Sequence, residues 1–292
     1  MEKRKPKWTI EGKTCLITGA TSGIGKATAI ELAKRGARII YTARDLEKAK
    51  IVKEEIVSKS QNNDVEFFEC ELSSLESIKK LAENFKKRYS ALHVLINNAG
   101  LWEAHRKLSK DGIELTFAVN YLAQFLLTDL LLGLLKKSAP SRVMNVSSEL
   151  HRKGKINFDD LELKKHYNGM KAYYNSKLAI VLFTKELARR LQDTGVTANI
   201  AHPGLAKTDI YRALPSIEKK LIFLFGAITP EEGAKTSICL AMSDEVSNIS
   251  GEYFARGKIT KSSDESYDIE EAKKLWNISI EYVKKYIENS EV

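Results

Sequence analysis

Short apolar runs alternate with amphipathic stretches along nearly the whole chain. Runs at 13–18, 38–42, 65–70, 92–96, 142–146 and 196–201 have the length and residue types of buried strands. Between them, 26–35, 45–58, 74–89 and 112–137 place apolar residues at helical spacing; in the third of these, Ile78, Leu81, Ala82 and Phe85 share one face. The stretch 149–170 reads as a polar loop holding His151, Arg152, Lys153 and His166. Helical spacing returns at 172–192, 231–242 and 268–289, with a short strand at 251–255. From 205 to 229 no period holds, although Leu221-Ile222-Phe223-Leu224-Phe225 is strongly apolar. Strands separated by helices throughout predict an α/β fold: a doubly wound parallel sheet of about seven strands with helices on both faces. No linker or internal repeat interrupts the pattern, which predicts a basic tail over 1–10 and one domain over 11–292.

Ligands of such sheets bind at the carboxyl ends of the strands, near the point where strand order reverses. The chemically distinctive residues all fall at that edge. Gly19, Gly23 and Gly25, with Thr21, Ser22 and Ile24 between them, form a G-x-x-x-G-x-G turn from the first strand into the first helix. There, backbone N–H groups and a helix N-terminus can meet a pyrophosphate. After the second strand an acid would hydrogen-bond the ribose 2′-hydroxyl of NAD, whereas a cation accommodates the 2′-phosphate of NADP. Arg44 stands there, so NADP(H) is expected; Asp45 reads as the cap of the following helix. Asn98, Ala99 and Gly100, after the fourth strand, lie where a cofactor ribose would sit.

Tyr173 and Lys177 are four residues apart on one helix face. A neighbouring ammonium favours phenolate, so such a pair can pass a proton to or from an alcohol or carbonyl oxygen. Tyr174 lacks that spacing. Ser148, after the fifth strand, either offers a hydroxyl near that oxygen or closes a simple strand-end turn, whereas alternation turns Ser147 the other way. Asn120, inside an apolar helix, either orients a water beside Lys177 or satisfies backbone.

Composition narrows this picture. The 292 residues are 43% hydrophobic and 29% charged, which excludes disordered and collagen-like classes. The net charge of +9 comes partly from the first residues, read as a solvated tail, and no nucleic-acid recognition motif accompanies it. Cys15, Cys70 and Cys239 are far apart and suggest buried fillers in a reducing, cytoplasmic setting. No metal-ligand spacing is present. No secretory signal and no membrane span are expected from the apolar runs.

Thr18-Gly19-x-x-x-Gly23-Ile24-Gly25, Asn97-Asn98-Ala99-Gly100, Asn120, Ser148, Tyr173-x-x-Ser176-Lys177 and Pro203-Gly204, in this order, resemble the classical short-chain dehydrogenase/reductase superfamily. Val146-Ser147-Ser148, the segment 172–179, His202-Pro203-Gly204 and Thr229-Pro230-Glu231-Glu232-Gly233-Ala234 look like its retinol dehydrogenase and WW-domain oxidoreductase branch. The resemblance implies a Rossmann-type fold, with Tyr173 as general acid/base and Ser148 holding the substrate oxygen. It implies that Lys177 lowers the tyrosine pKa and binds the nicotinamide ribose, that Asn120 supports a water-linked relay, and that Thr208 meets the carboxamide. Tyr173, Lys177, Pro203 and Gly204 are thus also cofactor contacts. Glu71-Leu72 departs from the family's Asp-Leu adenine contact.

The expected function is NADP(H)-dependent interconversion of an alcohol and a carbonyl, on an apolar substrate such as a retinoid or other lipid aldehyde. Rival readings are a steroid or xenobiotic carbonyl reductase, or a catalytically silent NADP(H)-binding scaffold. The resemblance suggests a homo-oligomer through 112–137 and 172–192, helices that would be apolar in a monomer too, and Leu221 to Phe225 with Lys219 and Lys220 are a candidate for peripheral membrane contact.

Overall fold

The computed structural model describes residues 8–204 and 228–287. Thr208, the apolar run at Leu221 to Phe225 and residues 1–7 of the expected tail lie outside the described residues.

Strands β1 (Thr14–Ile17), β2 (Arg38–Ala43), β3 (Val65–Glu69), β4 (Val94–Asn97), β5 (Ser141–Val146), β6 (Val196–His202) and β7 (Tyr253–Ala255) form a parallel sheet in the order β3-β2-β1-β4-β5-β6-β7. A strand beyond the expected seven, β8 (Lys258–Ile259), adds antiparallel to β7. It is two residues long, too short to show a period. Its turn, Arg256-Gly257, has both φ values positive, as a tight hairpin requires.

The pleat sorts the core. Leu16, Ile40, Leu95 and Val143 face one side, under α3 (Leu75–Arg88), α4 (Leu115–Lys137), α5 (Gly169–Arg190) and α7 (Ile269–Val283). Their neighbours Cys15, Ile17, Ile39, Tyr41, Val94, Ile96 and Met144 face the other, under α1 (Gly23–Lys34), α2 (Leu46–Ser60) and α6 (Pro230–Met242). This side choice is why helices are needed on both faces.

Helix α4 is long and apolar enough to cross a membrane by length and composition, a match the apolar runs alone did not suggest; 83% of its apolar window is buried inside the fold. Its turn Ala118–Leu122 is π-helical. Helix α7 packs Trp276 5.0 Å from Phe125 of α4 and 5.7 Å from Phe183 of α5, and Ser279 Oγ lies 2.6 Å from Tyr121 Oη. It covers apolar surface of α4 and α5 that the sequence offered to a second copy.

Residues 8–10, at the end of the expected tail, join the domain: Trp8 and Ile10 are buried. Trp8 Nε1 donates to Ala241 O at 2.8 Å, and the Arg142 guanidinium lies 4.0 Å over its ring.

Candidate active site

Strand order reverses between β1 and β4, and the chain laces the two strand ends together there. Thr18 Oγ1 accepts the N–H groups of Asn98 and Ala99 at 3.0 and 3.1 Å. Asn98 Nδ2 donates to Thr18 O at 2.9 Å and Gly19 O at 3.1 Å. Asn98, expected at a ribose, therefore spends its amide on the glycine turn. A Cβ on Gly25 would collide with Gly19 O and Asn98 Nδ2, and one on Gly19, at φ +68°, would lie 2.9 Å from Ala99 Cα. Only glycine permits this closeness.

Helices α2, α3, α5, α6 and α7 are capped by the side chains of Asp45, Ser74, Asn168, Thr229 and Asp268. Helix α1 differs, because Ser22 makes no side-chain cap bond and the first turn holds no acid. The uncapped N–H groups and positive helix end are left for an anion, which fits the pyrophosphate of a dinucleotide. Beyond β2, Asp45 Oδ1 accepts the Lys48 N–H at 3.0 Å, as its capping role requires, and exposed Arg44 and Lys48 both line the cleft. Glu71 Oε1 accepts the Ser73 N–H at 3.1 Å beside Leu72.

At the other end, α5 carries Tyr173, Ser176 and Lys177. Lys177 Nζ sits 5.5 Å from the Tyr173 ring centroid and donates to Val146 O at 3.1 Å. Burial pushes the Lys177 ammonium down to about 8. Tyr174 turns instead toward Lys153, whose Nζ is 5.8 Å from its ring. Ser148 Oγ, at the end of β5, accepts the Leu150 N–H at 3.2 Å. Ser147, as alternation predicts, is buried and donates its Oγ–H to Lys177 O at 2.8 Å.

Asn120 occupies the π-helical turn of α4. Its Oδ1 accepts the Leu101 N–H at 2.7 Å, while Nδ2 donates to Leu101 O at 2.9 Å and Ser176 Oγ at 3.0 Å. Of its two sequence readings, the side chain takes the backbone-satisfying one. It stands beside Lys177 all the same: a Cβ on Gly100 would lie 3.4 Å from Asn120 Oδ1 and 3.5 Å from Lys177 Nζ.

One cleft of about 800 Å³ joins both ends. It gathers the glycine turn, Arg44, Glu71-Leu72, Asn98 to Gly100, Ser148, Tyr173, Lys177 and Pro203-Gly204, with Asn120 behind its wall. The fold adds residues that sequence reasoning missed. Leu101, Trp102, Leu115, Val119 and Leu150 add apolar side chains to the cleft, and the ion pair of Lys107 with Glu103, at 2.6 Å, forms part of the lining. The i, i+4 spacing of Leu115 and Val119 was a readable signal. Trp102 carried none. His202 also lines the cleft, its Nδ1 accepting the Gly204 N–H at 3.4 Å, and burial pushes it down to about 4.

The family model for short chain dehydrogenases matches residues 13–219. The chain belongs to that family. Its curated relatives place it in the retinol dehydrogenase branch. Human retinol dehydrogenase 13 is 44% identical over 92% of this chain and 84% of its own length; human retinol dehydrogenase 14 is 44% identical over 92% and 86%. Among solved structures, an uncharacterised protein from Mycobacterium paratuberculosis superposes with TM-score 0.77 at 32% identity, covering 96% of each chain. The Pseudomonas aeruginosa RhlG/NADP active-site complex gives TM-score 0.69 at 25% identity, covering 86% of this chain and 96% of that one. This member of the family is an oxidoreductase acting on CH–OH groups with a nicotinamide cofactor.

Proposed function

We propose that the protein is an NADP(H)-dependent oxidoreductase that interconverts a lipophilic alcohol, such as a retinoid, with its aldehyde. The observation that carries the chemistry is the Tyr173 and Lys177 pair at one end of a cleft whose other end is the uncapped α1. When bound, the nicotinamide exchanges the hydride with the substrate carbon. Tyr173 gives its phenolic proton to the substrate oxygen, or takes it back in the oxidation direction. Lys177, buried beside the ring, supplies the positive charge that favours phenolate and reaches toward the nicotinamide ribose. Ser148 holds the substrate oxygen: its Oγ lone pair takes the Leu150 N–H, which leaves the hydroxyl hydrogen for that oxygen. Asn120 holds Leu101 and Ser176 in place around the pair.

Arg44 and Lys48 support the 2′-phosphate of NADP, and Asp45, committed to its cap, does not contest it. The apolar side chains of Leu101, Trp102, Leu115, Val119 and Leu150 in the cleft lining support a lipophilic substrate. The names of the retinol dehydrogenase relatives support a retinoid in particular. A single domain that takes in residues 8–10 as well as 11–292, and a cytoplasmic setting, belong to the same reading, the latter supported by three free cysteines.

The test is a screen of purified protein with NADPH and NADH against retinaldehyde, aliphatic lipid aldehydes, steroid ketones and small xenobiotic carbonyls. Turnover of the lipophilic aldehydes with NADPH is expected. Faster turnover with NADH overturns the cofactor reading. Cofactor binding without turnover of any carbonyl overturns the enzymatic one.

A further inference from the structure

His151, expected in a polar loop, is fully buried in the 3-10 turn Glu149–Lys153, directly after Ser148. Both its ring nitrogens have partners of fixed polarity. Nδ1 lies 2.7 Å from Ser148 O, which can only accept, so Nδ1 carries the hydrogen. Nε2 lies 3.0 Å from the Ser263 nitrogen, which donates, so Nε2 is bare. The partners therefore dictate one neutral tautomer. The backbone N–H of His151 reaches the same Ser148 carbonyl at 3.0 Å, so that oxygen accepts two hydrogens from one residue. Tyr253, on β7, fixes the ring from the side with its centroid 4.8 Å away.

Ser148 is thereby gripped at its carbonyl by His151 and at Oγ by the Leu150 N–H. Among the described residues the Leu150 N–H is the hydrogen-bond partner of Oγ, and rotation of the Ser148 peptide would swing Oγ off the substrate oxygen. We propose that His151 is the positioning residue for Ser148, its tautomer set from the C-terminal segment by the Ser263 N–H. The inference rests on the reading of Ser148 as the group that holds the substrate oxygen.

The surroundings keep the ring neutral. Burial lowers its pKa, opposed by the Ser148 carbonyl. The charged and titratable groups around it are Glu149 and Arg152 on its own turn and Glu265 after Ser263. His202 on β6 and Tyr253 on β7 complete the set, with Lys177 on α5 tied to Val146 O. Protonation would set an Nε2–H against the Ser263 N–H.

The test compares wild type with His151→Leu, His151→Asn, Ser148→Ala and the His151→Leu/Ser148→Ala double variant. The readouts are kcat for carbonyl reduction at saturating cofactor, cofactor Kd and Tm. Ser148→Ala is expected to lose about a hundredfold in kcat, and His151→Leu about tenfold, each with cofactor Kd unchanged. His151→Asn, whose amide N–H can stand near the position of Nδ1, recovers most of the loss. Added to Ser148→Ala, His151→Leu has no further effect, because it acts through Ser148.

A full tenfold loss in the Ser148→Ala background, parallel weakening of cofactor binding, or an Asn variant no better than Leu each overturns the proposal. A wild-type rate in Ser148→Ala overturns the reading of Ser148 itself. Should His151→Leu not fold, the 15N shifts of the wild-type His151 ring keep the proposal testable: a neutral ring with the hydrogen on Nδ1 and Nε2 bare is expected at pH 7. The opposite tautomer or an imidazolium overturns the proposal.

Discussion

At the cofactor end of the cleft the walls are backbone: a glycine turn pressed against the β4 loop and a helix start with no cap. At the Tyr173 and Lys177 end they are side chains sent from β5, α4 and α5 and held by buried hydrogen bonds. The first end tolerates no added atom, because its shape is the absence of Cβ. The second tolerates substitution of bulk but not of function, because its parts are single atoms at fixed places. Damage should therefore read out as lost binding at one end and as lost turnover at the other.

The largest expected effect is at the catalytic end. Tyr173→Phe should lower kcat by about a thousandfold in either direction while leaving cofactor Kd unchanged. Steady-state kinetics together with fluorescence titration of the cofactor checks both halves, and retention of the wild-type rate removes Tyr173 from its role.

Lys177→Met separates stability from function. The folded ammonium titrates at about 8 against an ordinary 10.5, so below pH 8 the buried charge costs about 3 kcal/mol. Replacement should abolish turnover yet stabilise the fold at pH 7, by that amount less the bond lost at Val146 O. Between pH 8 and 10.5 the folded lysine is neutral while the unfolded one still binds a proton, so wild-type stability gains with pH there. The advantage of the variant should therefore shrink across that window. Thermal melts of both proteins at pH 7 and 10 check the sign, and an equal difference at the two values refutes it.

Gly25→Ala attacks the backbone end. The new Cβ must push the Gly19 carbonyl or the Asn98 amide aside, a repacking cost of about 1–3 kcal/mol. Cofactor Kd should rise about tenfold or more, with kcat at saturating cofactor little changed. Calorimetry against turnover at high cofactor distinguishes this from general unfolding.

The smallest effect should come from the exposed cation. Arg44→Ser should weaken NADPH about tenfold and leave NADH unaffected, since an exposed charge-assisted contact is worth about 1–2 kcal/mol. Equal losses with both cofactors would show that Arg44 does not meet the 2′-phosphate.

Much of the cofactor end was legible in the chain because it follows from local order: strand, glycine turn, helix, with Arg44 at the next strand end. Tyr173 and Lys177 were legible for the same reason, as a one-turn spacing within a single helix. What was hidden depended on distant partners. Asn98 looked available to a ribose until Thr18 and Gly19, some 80 residues earlier, took its amide. Asn120 could have served a water or the backbone, and only the approach of Leu101 and Ser176 gave its side-chain amide these partners. His151 read as one polar residue among several in a loop, because its Ser263 partner lies 112 residues away.

The sequence by itself determined the alternation of strands and helices, the edge where the distinctive residues gather and the spacing that sets Tyr173 beside Lys177. These rest on periodicity and on spacings within one element, which any chain of this pattern displays. Only the tertiary structure decided which polar groups remain available to a ligand and which are consumed in holding the site together. A donor or acceptor is committed by whatever packs against it, and the sheet brings those partners from far along the chain.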